Sequence, residues 1–254
     1  VAVSIPGAVL DATSWTSPLG KPLTFRLVQG GVPQQLKFDD NERLRQEVAY
    51  VEAITSEPAQ LIVTPETAFT VDPSGLDPAL MSRLREFGRA TGAHVFLGMP
   101  FMDGAAMKNS VLHLVPDHPV MPRYDKSRLM PFGEYAPLGM DWFTQRMSLE
   151  LDDQTPGADN QAPFSIRAGE GVVHVGVLIC HEDLSQADAR RSARQTGLLI
   201  NPGNLAWFAG TLALPQRLQV AQARALETGR PVLRTTNTGV TAHIDHRGRV
   251  LAQL

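Results

Sequence analysis

The sequence has very little cysteine: Cys180 is the single one among 254 residues. One thiol excludes an internal disulfide and leaves the redox compartment open. The composition, with 43% hydrophobic and 19% charged residues, instead indicates a globular protein with a packed core.

Long apolar runs, an excess of positive charge and clusters of metal ligands are also missing. No apolar run approaches the roughly 20 residues that span a bilayer. The net charge of -3 gives no electrostatic basis for binding nucleic acid. The polar run 181–183 (HED) has no second cluster of His and Cys at ligand spacing, so we predict neither a metal site nor a cofactor.

The first 22 residues differ in composition from the rest of the chain. Residues 1–22 are rich in Pro, Gly, Ser and Thr, which is typical of a linker or a loosely packed lead-in. Residues 23–254 are predicted to form one domain. The chain begins with Val1 rather than Met, which indicates a processed or excised piece.

Apolar runs bounded by Gly and Pro predict strands, and apolar residues at helical spacing predict helices. The predicted strands are 24–29, 61–64, 94–99, 108–115, 120–124, 172–180, 198–201, 231–236, 239–245 and 249–254. The predicted helices are 41–54, one from Asp77-Pro78 to about Gly92, one from 183 or 185 to 196, and 214–228. Helices and strands alternate, but several strands follow one another directly, which predicts a layered α/β domain with mixed sheets. Residues 126–159 are irregular, and so long an irregular stretch in a compact domain indicates function.

Three reactive residues lie at the ends of predicted strands: Glu66 and Lys126 follow a strand, and Cys180 closes one. Ligands of α/β sheets bind beyond the carboxyl ends of strands, so these side chains could share a pocket. Taken singly, each has an ordinary explanation as a surface acid, a surface lysine or a buried thiol. Their common position at strand ends favours a catalytic hypothesis.

The chemistry of the three groups suggests a role for each. A thiolate at Cys180 can attack an acyl carbon and form a thioester. A partly desolvated carboxylate at Glu66 can take the thiol proton and later activate the second substrate. The ammonium of Lys126 can stabilise the developing oxyanion, beside the backbone N–H groups that follow Cys180.

The motifs around these residues resemble those of the nitrilase superfamily of carbon–nitrogen hydrolases, whose catalytic residues are Glu, Lys and Cys in that order. The motifs are 64–68 (TPETA), 124–135 (YDKSRLMPFGEY) and 178–183 (LICHED). Within the superfamily the chain is similar to the apolipoprotein N-acyltransferase branch, which includes TraB-like conjugal-transfer proteins of plasmids. The similarity extends from about residue 23 to the C terminus. It rests on 27–34 (LVQGGVPQ), 131–135 (PFGEY), 206–208 (AWF), 224–227 (RALE) and 234–241 (RTTNTGVT).

The resemblance implies an αββα sandwich in which Cys180 is the nucleophile, Glu66 the general base and Lys126 the oxyanion stabiliser. Glu134 and Glu182 match further glutamates of the branch. Glu134 is expected near Lys126 and the base, where it would tune the charge, and Glu182 is expected to support the pocket. For both glutamates, a structural hydrogen bond or a solvated carboxylate is the alternative.

The chain departs from the branch in ways that bear on its substrate. Leu205 stands where the branch usually has Asp, and His181 stands where tyrosine is common. Family acyltransferases also carry flanking transmembrane helices, which this sequence lacks. We therefore expect the soluble domain of a larger membrane protein, at the periplasmic face of the bacterial inner membrane. Otherwise the chain is expected in the cytoplasm.

Further residues near these motifs are predicted to bind substrate. They are Phe132, Tyr135, Asn204, Trp207 and Phe208. Residues 130–147 also carry a series of Met and aromatic side chains that suit an acyl chain or a membrane surface. The alternative is that the same side chains pack onto the sheet.

Three functions follow as hypotheses. The first is a thiol-dependent acyltransferase that moves an acyl group from a phospholipid-like donor to an amine through a thioester on Cys180. The second is a soluble amidase or nitrilase-like hydrolase, in which the substrate is a small amide and water resolves the same thioester. The third is a non-catalytic interaction domain in plasmid conjugation.

Overall fold

The computed structural model describes residues 13, 15–18, 20–131, 133–135, 154–169, 171–206 and 211–254. In this part of the chain, the strands form two sheets, one of five strands and one of six.

The first sheet contains the strands of the N-terminal half. In chain order they are β1 (Phe25–Leu27), β2 (Leu61–Val63), β3 (His94–Asp103), β4 (Ala106–Leu114) and β5 (Arg123–Asp125). Their spatial order is the same as their chain order. The pairs β1–β2 and β2–β3 are parallel, whereas β3–β4 and β4–β5 are antiparallel. The sheet is therefore mixed.

The second sheet contains the strands of the C-terminal half. They are β6 (Phe164–Ala168), β7 (Gly171–Val177), β8 (Leu198–Gly203), β9 (Val232–Thr236), β10 (Ala242–Ile244) and β11 (Val250–Gln253). Their spatial order is β11-β10-β9-β8-β7-β6. The pairs β7–β8 and β8–β9 are parallel, and the other pairs are antiparallel, so this sheet is mixed as well.

Helices cover the outer face of each sheet. They are α1 (Gln34–Lys37), α2 (Asp40–Thr55), α3 (Pro78–Thr91), α4 (Gln186–Ser192) and α5 (Ala213–Thr228), with a 3₁₀ turn at Cys180–Leu184. Helices α2 and α3 pack on the first sheet, and α4 and α5 pack on the second. Asp77 caps α3 by accepting from the backbone N–H of Ala79, and left-handed Gly92 ends that helix, as the sequence predicts.

The inner faces of the two sheets share one apolar core. Along β3, Val95 and Leu97 contact the helices, whereas Phe96 between them points to the other sheet. Val63 and Phe96 of the first sheet pack with Val177 and others of the second. This alternation places each sheet between helices on one side and the other sheet on the other. The αββα sandwich with mixed sheets is confirmed.

The helix predicted to reach residue 196 is shorter than expected. Helix α4 begins after Ser185, whose side chain accepts from the backbone N–H of Asp188, and ends at Ser192. Gln195 has a left-handed backbone with φ 61, which no α-helix tolerates. The predicted end of this helix is therefore wrong by about one turn.

None of the helices in the described ranges is long and apolar enough to cross a membrane.

Two buried histidines join β3 to β4 within the inner core. His94 Nδ1 lies 2.8 Å from His113 Nε2, and His94 Nε2 accepts from the backbone N–H of Arg167 at 3.1 Å. Burial lowers the pKa of His94 to about 4 and that of His113 to about 3. Both rings are therefore neutral in the folded protein at neutral pH.

Acidification should destabilise the protein through this pair. In the unfolded chain the two histidines have a pKa of about 6.5 and bind protons below that pH, whereas in the folded protein they stay neutral. Protons therefore stabilise the unfolded state, and the free energy of unfolding falls as the pH falls. We expect His94 and His113 together to lower the free energy of unfolding by about 2 to 3 kcal/mol between pH 7.5 and 5.5, measured by urea denaturation. His181, whose pKa burial also lowers to about 4, adds a loss of the same sign. His118→Ala, at an exposed position, should show the same loss. A free energy that stays constant over this range would contradict this account of the pair.

Candidate active site

The three reactive residues come together at the strand ends. Glu66 lies just beyond β2 and Lys126 directly follows β5, so both belong to the first sheet. The Lys126 Nζ donates to Glu66 Oε1 at 2.8 Å. Cys180 lies just beyond β7 of the second sheet, and the negative charge of Glu66 acts on its thiol. The site therefore spans the edges of both sheets.

Lys126 lies between two carboxylates. Its Nζ is 2.8 Å from Glu66 Oε1 and 2.6 Å from Glu134 Oε1, and the lysine is only 2% exposed. Burial alone would lower the pKa of Lys126, but the charges of Glu66, Cys180 and Glu134 raise it above its usual value. The lysine is therefore a fixed positive charge in a buried place.

Glu66 is held by donors on both of its oxygens. Oε1 accepts from Lys126 and from Asn109 Nδ2 at 2.8 Å, and Oε2 accepts from the backbone N–H of Asn204 at 2.8 Å. Burial would raise the pKa of Glu66, but the charge and hydrogen bond of Lys126, followed by the hydrogen bond of Asn109, lower it. The carboxylate is ionised and in position to accept a proton.

Two residues of the first sheet that the sequence analysis missed build this arrangement. Asn109 of β4 uses its Nδ2 to bridge Glu66 Oε1, at 2.8 Å, and Glu134 Oε1, at 3.2 Å. Gly98 of β3 has no room for a side chain, because a Cβ there would lie 1.9 Å from the carbonyl oxygen of Pro65. Glycine thus lets β3 approach the segment that carries Glu66. An amide inside a predicted buried strand was the available signal for Asn109.

Cys180 sits at a tight bend of the backbone. Its φ of 49 is left-handed, which is uncommon for a residue with a side chain. Its carbonyl oxygen accepts from Asn201 Nδ2 at 3.1 Å and from Arg217 Nη2 at 2.8 Å. The bend is therefore held from outside by side chains of β8 and α5.

A buried charge cluster lies next to this bend, and the sequence analysis missed it. Asp183 Oδ1 pairs with Arg217 Nη2, and its Oδ2 accepts from Arg234 Nη1 at 3.2 Å. Arg234, on the fully buried strand β9, also donates to Asn201 Oδ1. An arginine in a predicted buried strand was the signal that such a cluster exists.

Glu182 ties the cysteine turn to the lysine segment. It is fully buried, and its carboxylate accepts from the backbone N–H groups of Ile179 at 2.6 Å and Ser127 at 2.7 Å. The Tyr124 hydroxyl donates to both of its oxygens at 3.1 Å. Glu182 thus fixes the distance between the ends of β5 and β7.

The resting thiol is protonated. Burial and the charge of Glu66 raise the pKa of Cys180 to about 12, against the smaller opposing effects of Lys126 and Arg217. A protonated thiol beside an ionised carboxylate is the starting state for general-base catalysis, because the proton can pass as the sulfur attacks.

Of the residues predicted to bind substrate, the structure describes Asn204 and Tyr135. The backbone N–H of Asn204 donates to Glu66, and its side chain donates to Gln34 Oε1 at 3.2 Å. Tyr135 is half-buried beside Glu134. Phe132, Trp207 and Phe208 lie outside the described residues, as does most of the segment 130–147. Their contact with substrate or membrane stays a prediction.

No group of three or more His, Cys, Asp or Glu in the described ranges is arranged to hold a metal ion.

Comparison with known proteins assigns the family. The carbon–nitrogen hydrolase family matches residues 25–254. The chain belongs to that family. It is therefore an enzyme of the nitrilase superfamily.

The sequence is similar to apolipoprotein N-acyltransferases. The protein of that name from Ralstonia nicotianae is 41% identical over 259 residues, which cover 100% of this chain and 49% of the relative. The chain thus spans about half the length of the curated relatives it matches. The link to TraB-like conjugal-transfer proteins is not tested by these relatives and stays a prediction.

Solved structures support the fold. A variant of an amidase of the nitrilase superfamily from Nesterenkonia AN1 has a TM-score of 0.62 at 19% identity, covering 93% of this chain and 88% of the amidase. Nit3 of Saccharomyces cerevisiae, from branch 10 of the superfamily, has a TM-score of 0.65 at 18% identity, covering 95% and 89%.

Removing Arg217 should loosen the cysteine bend. We expect Arg217→Met to lower the free energy of unfolding by about 3 kcal/mol, because it breaks a buried ion pair and leaves Asp183 with one cation. The measurement is urea denaturation at pH 7. Arg190→Met, at an exposed position of α4, should change the value by less than about 0.5 kcal/mol. An equal effect of the two substitutions would contradict the structural role of Arg217.

Proposed function

We propose that the chain transfers an acyl group through a thioester on Cys180, with Glu66 as the general base and Lys126 as the oxyanion stabiliser. The observation that carries the proposal is the buried contact of Lys126 with Glu66, with the Cys180 thiol close enough for the charges of both residues to shift its pKa. The family and the similarity to apolipoprotein N-acyltransferases support acyl transfer as the reaction class.

The first half-reaction forms the thioester. The Cys180 sulfur attacks the acyl carbonyl carbon while its proton passes to Glu66, and the carbonyl electron pair moves onto oxygen. The ammonium of Lys126 and nearby backbone N–H groups stabilise that oxyanion. When the oxyanion collapses, the carbon–oxygen bond to the donor breaks, and the leaving alkoxide takes the proton from Glu66.

The second half-reaction releases the acyl group to an amine. Glu66, again a carboxylate, takes a proton as the amine nitrogen attacks the thioester. The carbon–sulfur bond then breaks, the proton returns to sulfur, and the product is an amide. The same carboxylate thus takes a proton in both half-reactions. Donors on both of its oxygens hold it in place for the two steps.

A phospholipid is the proposed donor, and the amino terminus of an apolipoprotein is the proposed acceptor. The name of the relatives supports the acceptor. Exposed apolar side chains that lie close in the sequence to residues of the site agree with a lipid donor. Those at least 39% exposed are Leu36, Phe38, Met130 and Leu184. Action on a phospholipid at the periplasmic membrane face is part of this proposal.

Incubation with lipid tests the proposal. The protein is mixed with vesicles of dioleoyl phosphatidylethanolamine, and its intact mass is measured. We expect the mass of one oleoyl group to be added, with release by hydroxylamine, and no addition in Cys180→Ala.

Other outcomes of this experiment separate the remaining functions. Turnover of a small amide such as fluoroacetamide, without addition from lipid, would favour a soluble amidase. Absence of both reactions would contradict an enzymatic role of Cys180 and favour an interaction domain.

A substitution of Glu66 tests its proposed role as the general base. Glu66→Gln should lower the rate of oleoyl addition by about 10²- to 10⁴-fold, because the amide cannot take the thiol proton. The measurement is the time course of the mass change. Glu57→Gln, at an exposed side chain, should leave the rate unchanged. A loss below about tenfold for Glu66→Gln would exclude Glu66 as the base.

A further inference from the structure

The side chain and the carbonyl group of Cys180 lie on opposite sides of the second sheet. The side chain packs against the apolar core between the two sheets, beside Ile179. The carbonyl oxygen accepts from Asn201 Nδ2 at 3.1 Å and from Arg217 Nη2 at 2.8 Å. These two donors belong to the outer side of the sheet.

The outer position of the two donors follows from the strand pattern. Along β8, Leu199 packs with the outer helices and Ile200 packs in the core between the sheets. Side chains alternate along a strand, so Asn201 shares the outer face with Leu199. Arg217 comes from α5, which covers that outer face. The carbonyl group of Cys180 therefore points outward, toward α5.

The direction of this carbonyl group fixes the direction of the next N–H group. Cys180 and His181 are joined by a trans peptide bond. In a planar trans peptide the C=O and the following N–H point in opposite directions. The N–H of His181 therefore points inward, to the side of the Cys180 thiol. In the described part of the chain no group accepts a hydrogen bond from it, so it is free to bind an oxyanion that forms there.

The two donors are themselves fixed by a buried network. Asp183 pairs with Arg217 Nη2 and accepts from Arg234 Nη1 at 3.2 Å, and Arg234 also donates to Asn201 Oδ1. Each of these four side chains is at most 8% exposed. Apolar residues of similar volume would stabilise such a place at least as well as buried charges. A polar network that is retained there indicates a functional demand on the geometry of the cysteine bend.

We propose that Asn201 and Arg217 are positioning residues of the reaction. By holding the Cys180 carbonyl group outward, they aim the backbone N–H of His181 at the oxygen of the acyl group under attack. Neither side chain touches the substrate, and the bonds made and broken are those of the first half-reaction. The proposal deepens the proposed function and rests on it for the thioester.

Two reagents that attack the same thiol test the proposal without any lipid. With p-nitrophenyl acetate, the sulfur attacks a carbonyl carbon, an oxyanion forms, p-nitrophenolate leaves and the thiol proton passes through Glu66 to solvent. With iodoacetamide, the sulfur displaces iodide from a saturated carbon, and no oxyanion forms. A change in the charge state of the thiol alters both rates, whereas a misdirected N–H group lowers only the first.

Both rates can be followed directly. Release of p-nitrophenolate measures acetylation, with Cys180→Ala as the blank. Intact mass measures alkylation, because the chain has one thiol.

The informative variants keep the charge of the site. Asn201→Leu is neutral and similar in size, and Arg217→Lys keeps the positive charge but lacks the fork that binds Asp183 and the carbonyl group together. We expect both to be acetylated about 10- to 100-fold more slowly than the wild type, because the N–H group is no longer held in place. Alkylation should stay within about twofold. The matched changes at exposed positions, Asn160→Leu and Arg190→Lys, should alter neither rate.

Three results would overturn the proposal. They are acetylation of both variants at the wild-type rate, an equal fall of acetylation and alkylation, and unfolding of both variants. The second would mean that the network acts on the thiol itself, and the third would assign it to the fold alone. If one variant unfolds, the folded one decides.

The same experiment separates this proposal from the function on which it rests. A wild-type protein that is alkylated but not acetylated would contradict thioester formation, and with it both proposals. If the variants behave as expected but no lipid acylates Cys180, the proposed acyl donor is wrong and the positioning role of Asn201 and Arg217 stands.

Discussion

The contact of Lys126 with two carboxylates is the interaction on which the site depends. The Lys126 ammonium group is only 2% exposed, and Glu66 and Glu134, which lie 2.8 and 2.6 Å from its nitrogen, offset the cost of burying it. The same contact keeps Glu66 ionised, and an ionised Glu66 raises the pKa of the Cys180 thiol. The buried lysine thus keeps Glu66 charged, and the charge of Glu66 adds to burial in keeping the Cys180 thiol protonated.

A second constraint is that the site spans two sheets. The lysine and the base come from the first sheet and the cysteine from the second, so their spacing depends on groups that connect strand ends. Glu182 makes that connection through the backbone of Ser127 and Ile179. Arg217 and Asn201 fix the carbonyl of Cys180 from the other side. The apolar core between the sheets supplies the rigid frame on which these hydrogen bonds act.

Much of the fold and of the site could be predicted from the sequence, because these features depend on residues that are close together in the chain. Apolar runs located the strands that end next to Glu66, Lys126 and Cys180, although the strand predicted to reach Cys180 ends at Val177 and Cys180 begins a 3₁₀ turn. The Asp77-Pro78 start located a helix. Asn109 and Arg217 could not be found in the same way. Their partners lie 43 and 37 residues away, and an arginine on a helix is expected to face solvent. Only the packing of the two sheets reveals which partners these side chains reach.

The most direct test of the account is the single-turnover rate of acyl addition to Cys180 in Lys126→Met. If the buried lysine sets the charge of the site and stabilises the oxyanion, this rate should fall by about 10³-fold. The comparison is with wild-type protein at the same pH and lipid concentration, with the folded state of both checked by circular dichroism. A folded Lys126→Met protein whose rate stays within tenfold of the wild type would contradict the central role of Lys126.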